Sequence, residues 1–548
     1  MRFTKLLLPL LGAASAFASA AVFPRVEGAL KGPISAEAEK VMNKKAPSDN
    51  HHFLTSKSQK FLVNGTGVPD VPFDVGESFA GRLPVVSYDK LNAANTSMDN
   101  QLFFWFFPSD NPLASNEITV WMNGGPGCSS LEGLLQENGP FLWQPGTYSP
   151  QPNPFSWTNL TNMVWIDQPI GTGLSSSYPG DPLLVTTEDD VATQFAGFWK
   201  NFVDTFDMQR FDIYLTGESY AGMYVPYIAN LFLDQNDTSY YNVKGIQLND
   251  PAIGPLSVME QAPAAQYFNA YSTHFNLNKS FTSYVNEQAE ACGFTSFMDE
   301  ALTFPPAGKF PIPPSLNETW VVDKACNIWL QIATAAIYVN PCFNPYHISD
   351  FCPFPSDQLG FPSLGWGPNN YFNRTDVQDA LNIGKPYANY SICEVKAQGL
   401  EQSKPSAWTV LPSVIERTGN VVIANGELDY VITSNGTLAM INNMTWAGAQ
   451  GFHSDPWTDR FFVPYNPTIV PALKETLTQK IIPTRPVGYV GGGGWYGTTH
   501  TERGLTFVNV LFAGHQIPQY VPGAAYRQLE FLLGRVKDVY SVGNFTTL

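Results

Sequence analysis

The chain has 548 residues, with 44% hydrophobic residues that include 13 Trp, 24 Tyr and 38 Phe. This composition supplies a sizeable core and excludes low-complexity disorder for most of the length. The formal net charge of −17 and the isoelectric point near 4.8 argue against nucleic acid and against anionic membranes as partners. A chain of this length holds two or three ordinary domains, or one large sheet with insertions.

The N-terminus has the pattern of a secretory signal peptide over residues 1–20. A basic start precedes a short apolar run at 6–11, and Ala18-Ser19-Ala20 provides the small-residue cleavage site. A membrane anchor would need a longer apolar span. The sequence therefore predicts a protein that is secreted from the cell or delivered to an acidic, vacuolar or lysosome-like compartment. The next residues, 21–65, are polar and irregular, which fits either a propeptide or an N-terminal arm packed on the body.

Six cysteines suit an oxidising compartment and allow up to three disulfides, with fifteen formal connectivities. Their spacing does not match a metal site, so we predict neither a metal nor another cofactor. N-glycosylation sequons are frequent and predict N-linked glycans. They begin at Asn64, Asn95, Asn159, Asn236, Asn278, Asn317, Asn373, Asn389, Asn435, Asn443 and Asn544.

Strand-like and helix-like segments alternate in the first half of the chain. The run at 102–107 (LFFWFF) is apolar on both faces and predicts a buried strand. Thr186 or Thr187 can cap a helix that extends to Phe206 with one apolar stripe. The remaining predicted strands are at 118–122, 163–166, 211–216 and 243–248. An amphipathic helix is predicted over 223–229. This alternation predicts a mostly parallel sheet flanked by helices.

The alternation stops between about residues 254 and 367. Helical stretches, four of the six cysteines and a proline-rich segment occupy this region, which predicts a cap insertion at the carboxyl edge of the sheet. A helix at 376–383, two further strands and a closing helix at 522–537 complete the pattern. We therefore predict a single catalytic domain over residues 66–548.

A glycine-flanked serine follows the strand at 211–216. In residues 217–222 (GESYAG) a sharp strand-to-helix turn would expose the Ser219 oxygen at a helix N-terminus. The hexapeptide alone is weak evidence for a nucleophile. Ala221 stands where the usual motif has glycine, and small residues around serine also make ordinary turns. Two later strand-like runs end in Asp429 and His515. Nucleophile, acid and histidine thus occur in the chain order of an α/β-hydrolase, and Glu427 is a rival for the acid.

Three segments extend the pattern beyond a generic hydrolase: 121–130 (WMNGGPGCSS), 217–222 and 513–518 (AGHQIP). With 371–378 (YFNRTDVQ), they resemble the serine carboxypeptidase family, in its secreted or vacuolar, fungal-like form, over roughly residues 73–533. The resemblance implies an α/β-hydrolase fold and a serine-type carboxypeptidase that trims peptides and proteins with a free C-terminus. An esterase or acyltransferase on the same scaffold is the alternative.

The resemblance also implies roles for individual residues. Ser219 would attack the scissile carbonyl, His515 would take and return the proton, and Asp429 would orient the imidazole. The backbone N–H groups of Gly125 and Tyr220 would form the oxyanion hole.

By the same resemblance, the C-terminal carboxylate of the substrate would be bound by Asn123, the backbone of Gly124, Glu137 and Glu218. Two glutamates and an anion cannot all be ionised in one site, so a proton must be shared and the carboxyl pKa values rise. Activity should therefore be best at acid pH. An ordinary imidazole is mostly protonated there, so burial of His515 must oppose the pull of Asp429.

Three polar residues are candidates for the pocket of the leaving residue: Glu132 and Gln136, one helical turn apart, and Gln516. They would favour polar or basic C-terminal residues, although Glu132 could equally face solvent. The resemblance further suggests disulfides Cys128–Cys393, Cys342–Cys352 and Cys292–Cys326.

Overall fold

A sheet of ten strands organises the part of the chain that the structure describes. The structure is a computed structural model and describes residues 53–87, 100–147, 149–176, 185–317, 321–350, 371–394, 402–465 and 493–547. In chain order the strands are β1 (Phe79–Pro84), β2 (Gln101–Phe107), β3 (Glu117–Met122), β4 (Asn162–Asp167), β5 (Asp212–Glu218), β6 (Val243–Asn249), β7 (Val421–Gly426), β8 (Asp459–Val463), β9 (Gly494–Glu502) and β10 (Leu505–Val510).

The sheet has the order β1-β2-β4-β3-β5-β6-β7-β10-β9-β8. Strands β4, β3, β5, β6, β7 and β10 are parallel, and the outer strands on both sides are antiparallel. The prediction of a mostly parallel sheet is confirmed. Because the carboxyl ends of neighbouring parallel strands meet at one edge, the segments that follow β3, β5, β6, β7 and β10 are brought together there.

Helices connect and cover the strands. They are α1 (Glu188–Phe206), α2 (Ala221–Gln235), α3 (Leu256–Gln261), α4 (Ala264–Ala270), α5 (Ser272–Phe275), α6 (Lys279–Ala291), α7 (Phe294–Ala301), α8 (Ile328–Val339), α9 (Thr375–Ala380), α10 (Leu411–Thr418), α11 (Ser434–Asn443), α12 (Ile517–Tyr520) and α13 (Pro522–Leu532). Single turns of 3-10 helix span Gln59–Phe61, Pro112–Ala114, Trp157–Asn159, Lys324–Cys326, Tyr371–Asn373 and Ser406–Trp408. Two-stranded ribbons pair Phe141–Leu142 with Gln151–Pro152 and Thr445–Trp446 with Ala449–Gln450.

Strand β2 shows how the sheet separates two apolar cores. Phe104 packs edge-on against Phe202 of α1, with ring centroids 5.3 Å apart, on one face. On the other face, the Trp105 ring lies 6.1 Å from that of Phe141. The strand is buried on both faces, as its sequence predicts.

Helix α1 follows its sequence closely. Thr187 and Asp190 form a reciprocal capping box, which satisfies N–H groups that the first turn leaves without partners. The predicted apolar stripe is buried throughout. It consists of Val191, Phe195, Phe198, Phe202 and Phe206.

Helix α2 differs from the amphipathic helix that its sequence predicts. Every residue from 221 to 229 is buried, and the helix packs against α1, α10, β5 and β6. The amphipathic prediction is wrong for these turns, because a helix enclosed by the sheet and two other helices has no solvent face.

Two predicted helices end early for the same reason. Helix α9 ends at Ala380 and helix α13 at Leu532, each followed two residues later by a left-handed residue, Asn382 (φ 59°) and Gly534 (φ 67°). Backbone N–H groups just beyond then fold back to carbonyls of the last turn. This capping ends a helix while still satisfying its carbonyl groups.

The region predicted to be a cap insertion contains helices α3 to α8, which lie between β6 and β7 in the chain. A disulfide joins Cys292 to Cys326 within it. Cys352, the predicted partner of Cys342, lies outside the described residues.

The N-terminal segment is described only from residue 53, so the predicted signal peptide and residues 21–52 lie outside the described residues. Phe53 packs on Phe106 with ring centroids 5.2 Å apart, and Leu62 forms a β-bridge with Phe79. Residues 53–65 are thus packed on the sheet. Within the described ranges, no helix combines the length and the apolar character needed to cross a membrane.

Candidate active site

The turn between β5 and α2 presents Ser219 at the carboxyl edge of the sheet. Its φ of 59° is left-handed, a conformation that costs a non-glycine residue about 1–3 kcal/mol. Backbone bonds hold it there: Ser219 N donates to Asn249 O at 2.9 Å, and Ser219 O accepts from the N–H groups of Gly222 and Ala252, both at 2.9 Å. The serine side chain is partly exposed, as a nucleophile requires.

The glycines on either side of this turn are required by close approach. A Cβ on Gly217 would lie 2.4 Å from Met122 O and 2.7 Å from the Cβ of Ala221. A Cβ on Gly222 would lie 2.8 Å from Ala252 N. Steric exclusion therefore applies at 217 and 222, whereas the methyl group of Ala221 is accommodated.

The glycine-rich turn after β3 lies directly on the serine turn. A Cβ on Gly124 would be 2.4 Å from Tyr220 N and 2.9 Å from Ser219 Cβ. Gly125 follows with a φ of 111°, which favours glycine. The backbones of Gly125 and Tyr220, the predicted oxyanion donors, thus flank a direct contact between the two turns.

A disulfide anchors the same turn. Cys128 is bonded to Cys393, and the two residues form an antiparallel bridge. The flanking backbone adds two hydrogen bonds, from Ser129 N to Ile392 O at 2.7 Å and from Glu394 N to Gly127 O at 2.8 Å. This is the pairing that the resemblance predicts.

Asp429 and His515 form a buried pair. His515 Nδ1 lies 2.7 Å from Asp429 Oδ2, and both side chains are almost completely buried. Asp429 also accepts the N–H groups of Val431 at 2.7 Å and Ile432 at 3.2 Å. The other ring nitrogen, His515 Nε2, is buried without a hydrogen-bond partner among the described residues. That nitrogen is therefore the one available for proton transfer.

Close backbone packing brings together the loops that follow β7 and β10 and that carry Asp429 and His515. A Cβ on Gly426, at the end of β7, would lie 2.1 Å from Gly514 O, and Leu428 N donates to Ala513 O at 2.8 Å. The backbone carbonyl of Tyr346, from the predicted cap insertion, accepts the backbone N–H of His515 at 2.7 Å. The Tyr346 ring lies edge-on to the imidazole, with ring centroids 5.1 Å apart.

Glu427, the rival acid, is directed elsewhere. Its carboxylate lies beside Tyr271, and its backbone carbonyl accepts from Tyr267 Oη at 3.1 Å. The structure therefore brings Asp429, and not Glu427, to His515.

Asn123 is held in one orientation beside Glu218. Trp121 Nε1 donates to Asn123 Oδ1 at 2.8 Å, and Gly133 N donates to the same oxygen at 3.2 Å. The amide nitrogen of Asn123 then donates to Glu218 Oε1 at 2.9 Å. Because Trp121 can only donate, the assignment of the amide oxygen and nitrogen is fixed.

Glu137 and Glu218 form a pair of buried acids. Their exposures are 1% and 3%, and both oxygens of Glu137 and Oε2 of Glu218 have no well-aligned hydrogen-bond partner among the described residues. Burial raises the pKa of Glu137 to about 7. Burial, followed by the charges of Glu137 and Glu132, raises the pKa of Glu218 well above its ordinary value. The pair therefore retains at least one proton at acid pH and presents unsatisfied polar atoms to a ligand.

Comparison with known proteins agrees with this geometry. The model of the serine carboxypeptidase family matches residues 79–534. A carboxypeptidase Y homolog of Arthroderma benhamiae is 45% identical over 98% of this chain and 99% of its own length. Serine-type carboxypeptidase F of Aspergillus niger is 42% identical over 90% of each chain.

The chain belongs to the serine carboxypeptidase family. Membership over most of the length makes it a peptide-bond hydrolase of the serine type, and the esterase or acyltransferase alternative is not favoured. Among solved structures, the prohormone-processing carboxypeptidase Kex1 of Saccharomyces cerevisiae superposes with a TM-score of 0.65 over 90% of this chain and 99% of its own. At 23% identity, that likeness concerns the fold, and the predicted α/β-hydrolase fold is confirmed.

The side chains predicted to line the pocket for the leaving residue in this serine carboxypeptidase are also buried. Glu132, Gln136 and Gln516 are at most 3% exposed, and Gln516 Nε2 lies 3.5 Å from Glu132 Oε1. Glu132 therefore does not face solvent. The segment Gly133–Asn138 is wound as a π-helix, a form common at functional sites that the sequence spacing does not reveal.

Sequence reasoning missed three residues around the site: Trp121, Tyr346 and Asp250. Trp121 is the first residue of the glycine-rich motif, but its apolar side chain at the end of a strand predicts only an ordinary core residue. Tyr346 comes from an insertion without periodicity. Asp250 had a usable signal, because it directly follows a parallel strand next to β5, where ligands and catalytic groups concentrate.

Replacing Gly124 with alanine tests the contact between the two turns. The added Cβ would collide with Tyr220 N and Ser219 Cβ and displace the predicted oxyanion donors. We expect kcat/KM of Gly124→Ala to fall by roughly 10²- to 10³-fold, as when an oxyanion donor is lost.

The matched control is Gly308→Ala, because a Cβ on Gly308 meets no atom within 4 Å. It should retain the wild-type kcat/KM. Wild-type activity in Gly124→Ala, with its fold verified by circular dichroism, would show that the contact does not set the catalytic geometry.

Proposed function

We propose that this carboxypeptidase removes single residues from the C-terminus of peptides and proteins through an acyl-enzyme, and that it works best at acid pH. The observation that carries the proposal is the buried acid pair, Glu137 and Glu218, beside the serine turn. Glu218 directly precedes Ser219 in the chain. We therefore expect a substrate carboxylate bound there to place the last peptide bond of the chain at Ser219.

In the proposed mechanism, Ser219 Oγ attacks the scissile carbonyl while its proton passes to His515 Nε2. Asp429 holds Nδ1–H and stabilises the imidazolium that forms. The N–H groups of Gly125 and Tyr220 stabilise the oxyanion. His515 then protonates the leaving amine, and water hydrolyses the acyl-enzyme by the same steps in reverse.

The acid pair would recognise the chain end. In its singly or doubly protonated form, the pair donates hydrogen bonds to the substrate carboxylate, and the Asn123 amide adds a neutral donor. As pH rises through about 7, the pKa of Glu137, the pair loses a proton and gains a negative charge. The pair then repels the substrate carboxylate, so KM for peptides should rise with pH.

Comparing peptides with esters tests this account. We expect kcat/KM for a blocked dipeptide to fall at least about tenfold between pH 5 and pH 8, since one pH unit past a controlling pKa is a factor of ten. A blocked amino acid alkyl ester, which offers no carboxylate on its leaving group, should fall much less.

Three variants complete this experiment. Glu137→Gln and Glu218→Gln keep a neutral donor that cannot ionise, so they should flatten the decline of peptide activity between pH 5 and pH 8 while retaining most ester activity, and Ser219→Ala should lose both activities. A parallel decline of peptide and ester with rising pH would refute the shared proton. An acid pair needed for neither substrate would favour an esterase or acyltransferase.

We further propose that Glu132, with Gln136 and Gln516, lines the pocket of the leaving residue. A buried carboxylate there would attract a cationic side chain, and the two amides would accept polar ones. Support comes from the burial of all three side chains and from the contact of Gln516, next to His515, with Glu132.

Release of lysine and leucine from otherwise identical peptides measures this preference. We expect kcat/KM to favour lysine in the wild type and the ratio to drop by roughly tenfold, about 1.4 kcal/mol, in Glu132→Gln. That variant keeps the side-chain shape and removes only the charge. A wild-type preference for leucine would contradict the proposal.

We also propose that the chain is exported through the secretory pathway, to the exterior or to a vacuole-like compartment, and carries N-linked glycans. The two disulfides support an oxidising route. The asparagines of several sequons have exposed side chains: Asn64, Asn236, Asn278, Asn389 and Asn544. Asn373 is also exposed, but its amide nitrogen donates to the carbonyl of Tyr390 at 2.7 Å, and the amide nitrogen of the half-buried Asn443 donates to that of Phe310 at 2.8 Å.

Peptide mapping after enzymatic glycan removal should therefore detect deamidated sites among the exposed sequons, with Asn236 and Asn278 occupied. Asn373 and Asn443 should be unmodified, because their amide groups are engaged in the fold. A glycan at Asn443 would contradict this distribution, and a protein without glycans would contradict the proposed route.

A further inference from the structure

A second buried acid lies beside the Asp429–His515 pair. Asp250 directly follows β6, is completely buried, and has a left-handed φ of 43°. One carboxylate oxygen of Asp250, one of Asp429 and one ring nitrogen of His515 all lie within 4.8 Å of one another. The mechanism above does not use Asp250.

Asp250 connects the end of β6 to the end of β7. Its backbone N–H donates to Ala424 O at 2.7 Å. Its Oδ1 accepts the N–H of Gly426 at 2.8 Å and the Asn425 amide at 3.4 Å. These contacts place the Asp250 carboxyl group beside Gly426, the last residue of β7. Asp429 follows Gly426 by three residues.

The second oxygen of Asp250 is the unusual one. Oδ2 is buried and has no well-aligned hydrogen-bond partner among the described residues, although the carboxyl group adjoins Asp429. Two buried carboxylates at this separation cannot both be ionised without a large penalty. Burial, followed by the charge of Asp429, raises the pKa of Asp250 well above its ordinary value.

The hydrogen bonds indicate which acid keeps the proton. Asp429 accepts from Val431, Ile432 and His515, and all three donors favour its ionised form. Asp250 accepts on Oδ1 alone. The proton therefore belongs on Asp250 Oδ2.

We propose that Asp250 is a positioning residue that stays neutral and donates its Oδ2 proton to Asp429. By sharing the negative charge of Asp429, this hydrogen bond weakens the hold of Asp429 on the imidazole proton. His515 can then remain a neutral base at acid pH, which resolves the conflict between an acidic working range and a histidine base. The inference rests on the triad of the proposed function.

Other ionisable groups face Asp250 and Asp429 from the surrounding elements. They are Glu260 of α3, Tyr267 of α4, Tyr346 of the cap insertion, Tyr520 of α12, and Glu218 at the end of β5. Burial and the charge of Asp429 raise the pKa of Glu260 to about 7. Glu260 is therefore neutral at acid pH, and Glu260→Gln leaves the local charge unchanged there.

The test is the acid limb of the kcat/KM–pH profile, measured with the ester so that titration of Glu137 and Glu218 has little influence. In Asp250→Asn, the amide supplies the donor and the acceptor of the neutral acid. The midpoint should stay within about 0.3 pH unit of the wild type, as it should in Glu260→Gln.

Asp250→Gly removes the donor and suits the left-handed backbone. Without the shared proton, Asp429 holds the imidazolium more strongly. The acid-limb midpoint should then move to higher pH by about one unit, a tenfold loss at the lowest pH with a smaller loss near pH 7.

Two results would overturn the inference. A midpoint in Asp250→Asn that moves down by a unit would mean that Asp250 is ionised. A uniformly lower profile in Asp250→Gly, with an unchanged midpoint, would mean a structural role only. If Asp250→Gly does not fold, infrared difference spectra of the wild type and Asp250→Asn decide: a protonated carboxyl band at pH 7 that the variant lacks supports the inference, and its absence refutes it.

Labelling with a serine-directed phosphonate separates this inference from the proposed function. The wild type and Asp250→Asn should both be labelled at Ser219. Failure of the wild type to react would count against the triad, whereas labelling with the wrong pH profile would count against Asp250 alone.

Discussion

Burial of acidic side chains next to the nucleophile is the constraint on which this site depends. A carboxyl group removed from water keeps its proton to a higher pH, and a second carboxyl nearby strengthens the effect. Burial raises the pKa of both Glu137 and Glu218, and the charge of Glu137 raises the pKa of Glu218 further. An acidic site can therefore bind an anion, which is the physical condition for recognising the end of a polypeptide.

Backbone packing makes that arrangement possible. The turns after β3 and β5, and those after β7 and β10, approach so closely that Gly124 and Gly426 leave no room for a Cβ. The left-handed Ser219 is held by backbone hydrogen bonds to neighbouring segments. Strain at Ser219 is thus offset by the surrounding sheet, and the proposed catalytic groups project from the strand ends.

The same reasoning extends to the base. Asp429 is stabilised as an anion by three N–H donors, and an anion that close favours a protonated imidazole. A neutral Asp250 would moderate that influence. One principle would then apply both to the Glu137–Glu218 pair and to Asp250. Burial disfavours the ionised form of the acid, so the acid keeps its proton and acts as a hydrogen-bond donor.

The sequence by itself determined the parallel sheet, the strand ends that carry Ser219, Asp429 and His515, and the apolar faces of β2 and α1, because each depends on local pattern and chain order. Only the tertiary structure decided that His515 meets Asp429 rather than Glu427, that residues 221–229 of α2 are enclosed, and that Asp250 adjoins the Asp429–His515 pair. Those outcomes depend on which strands become neighbours. Residues far apart in the chain then share one buried volume, and local periodicity carries no information about that.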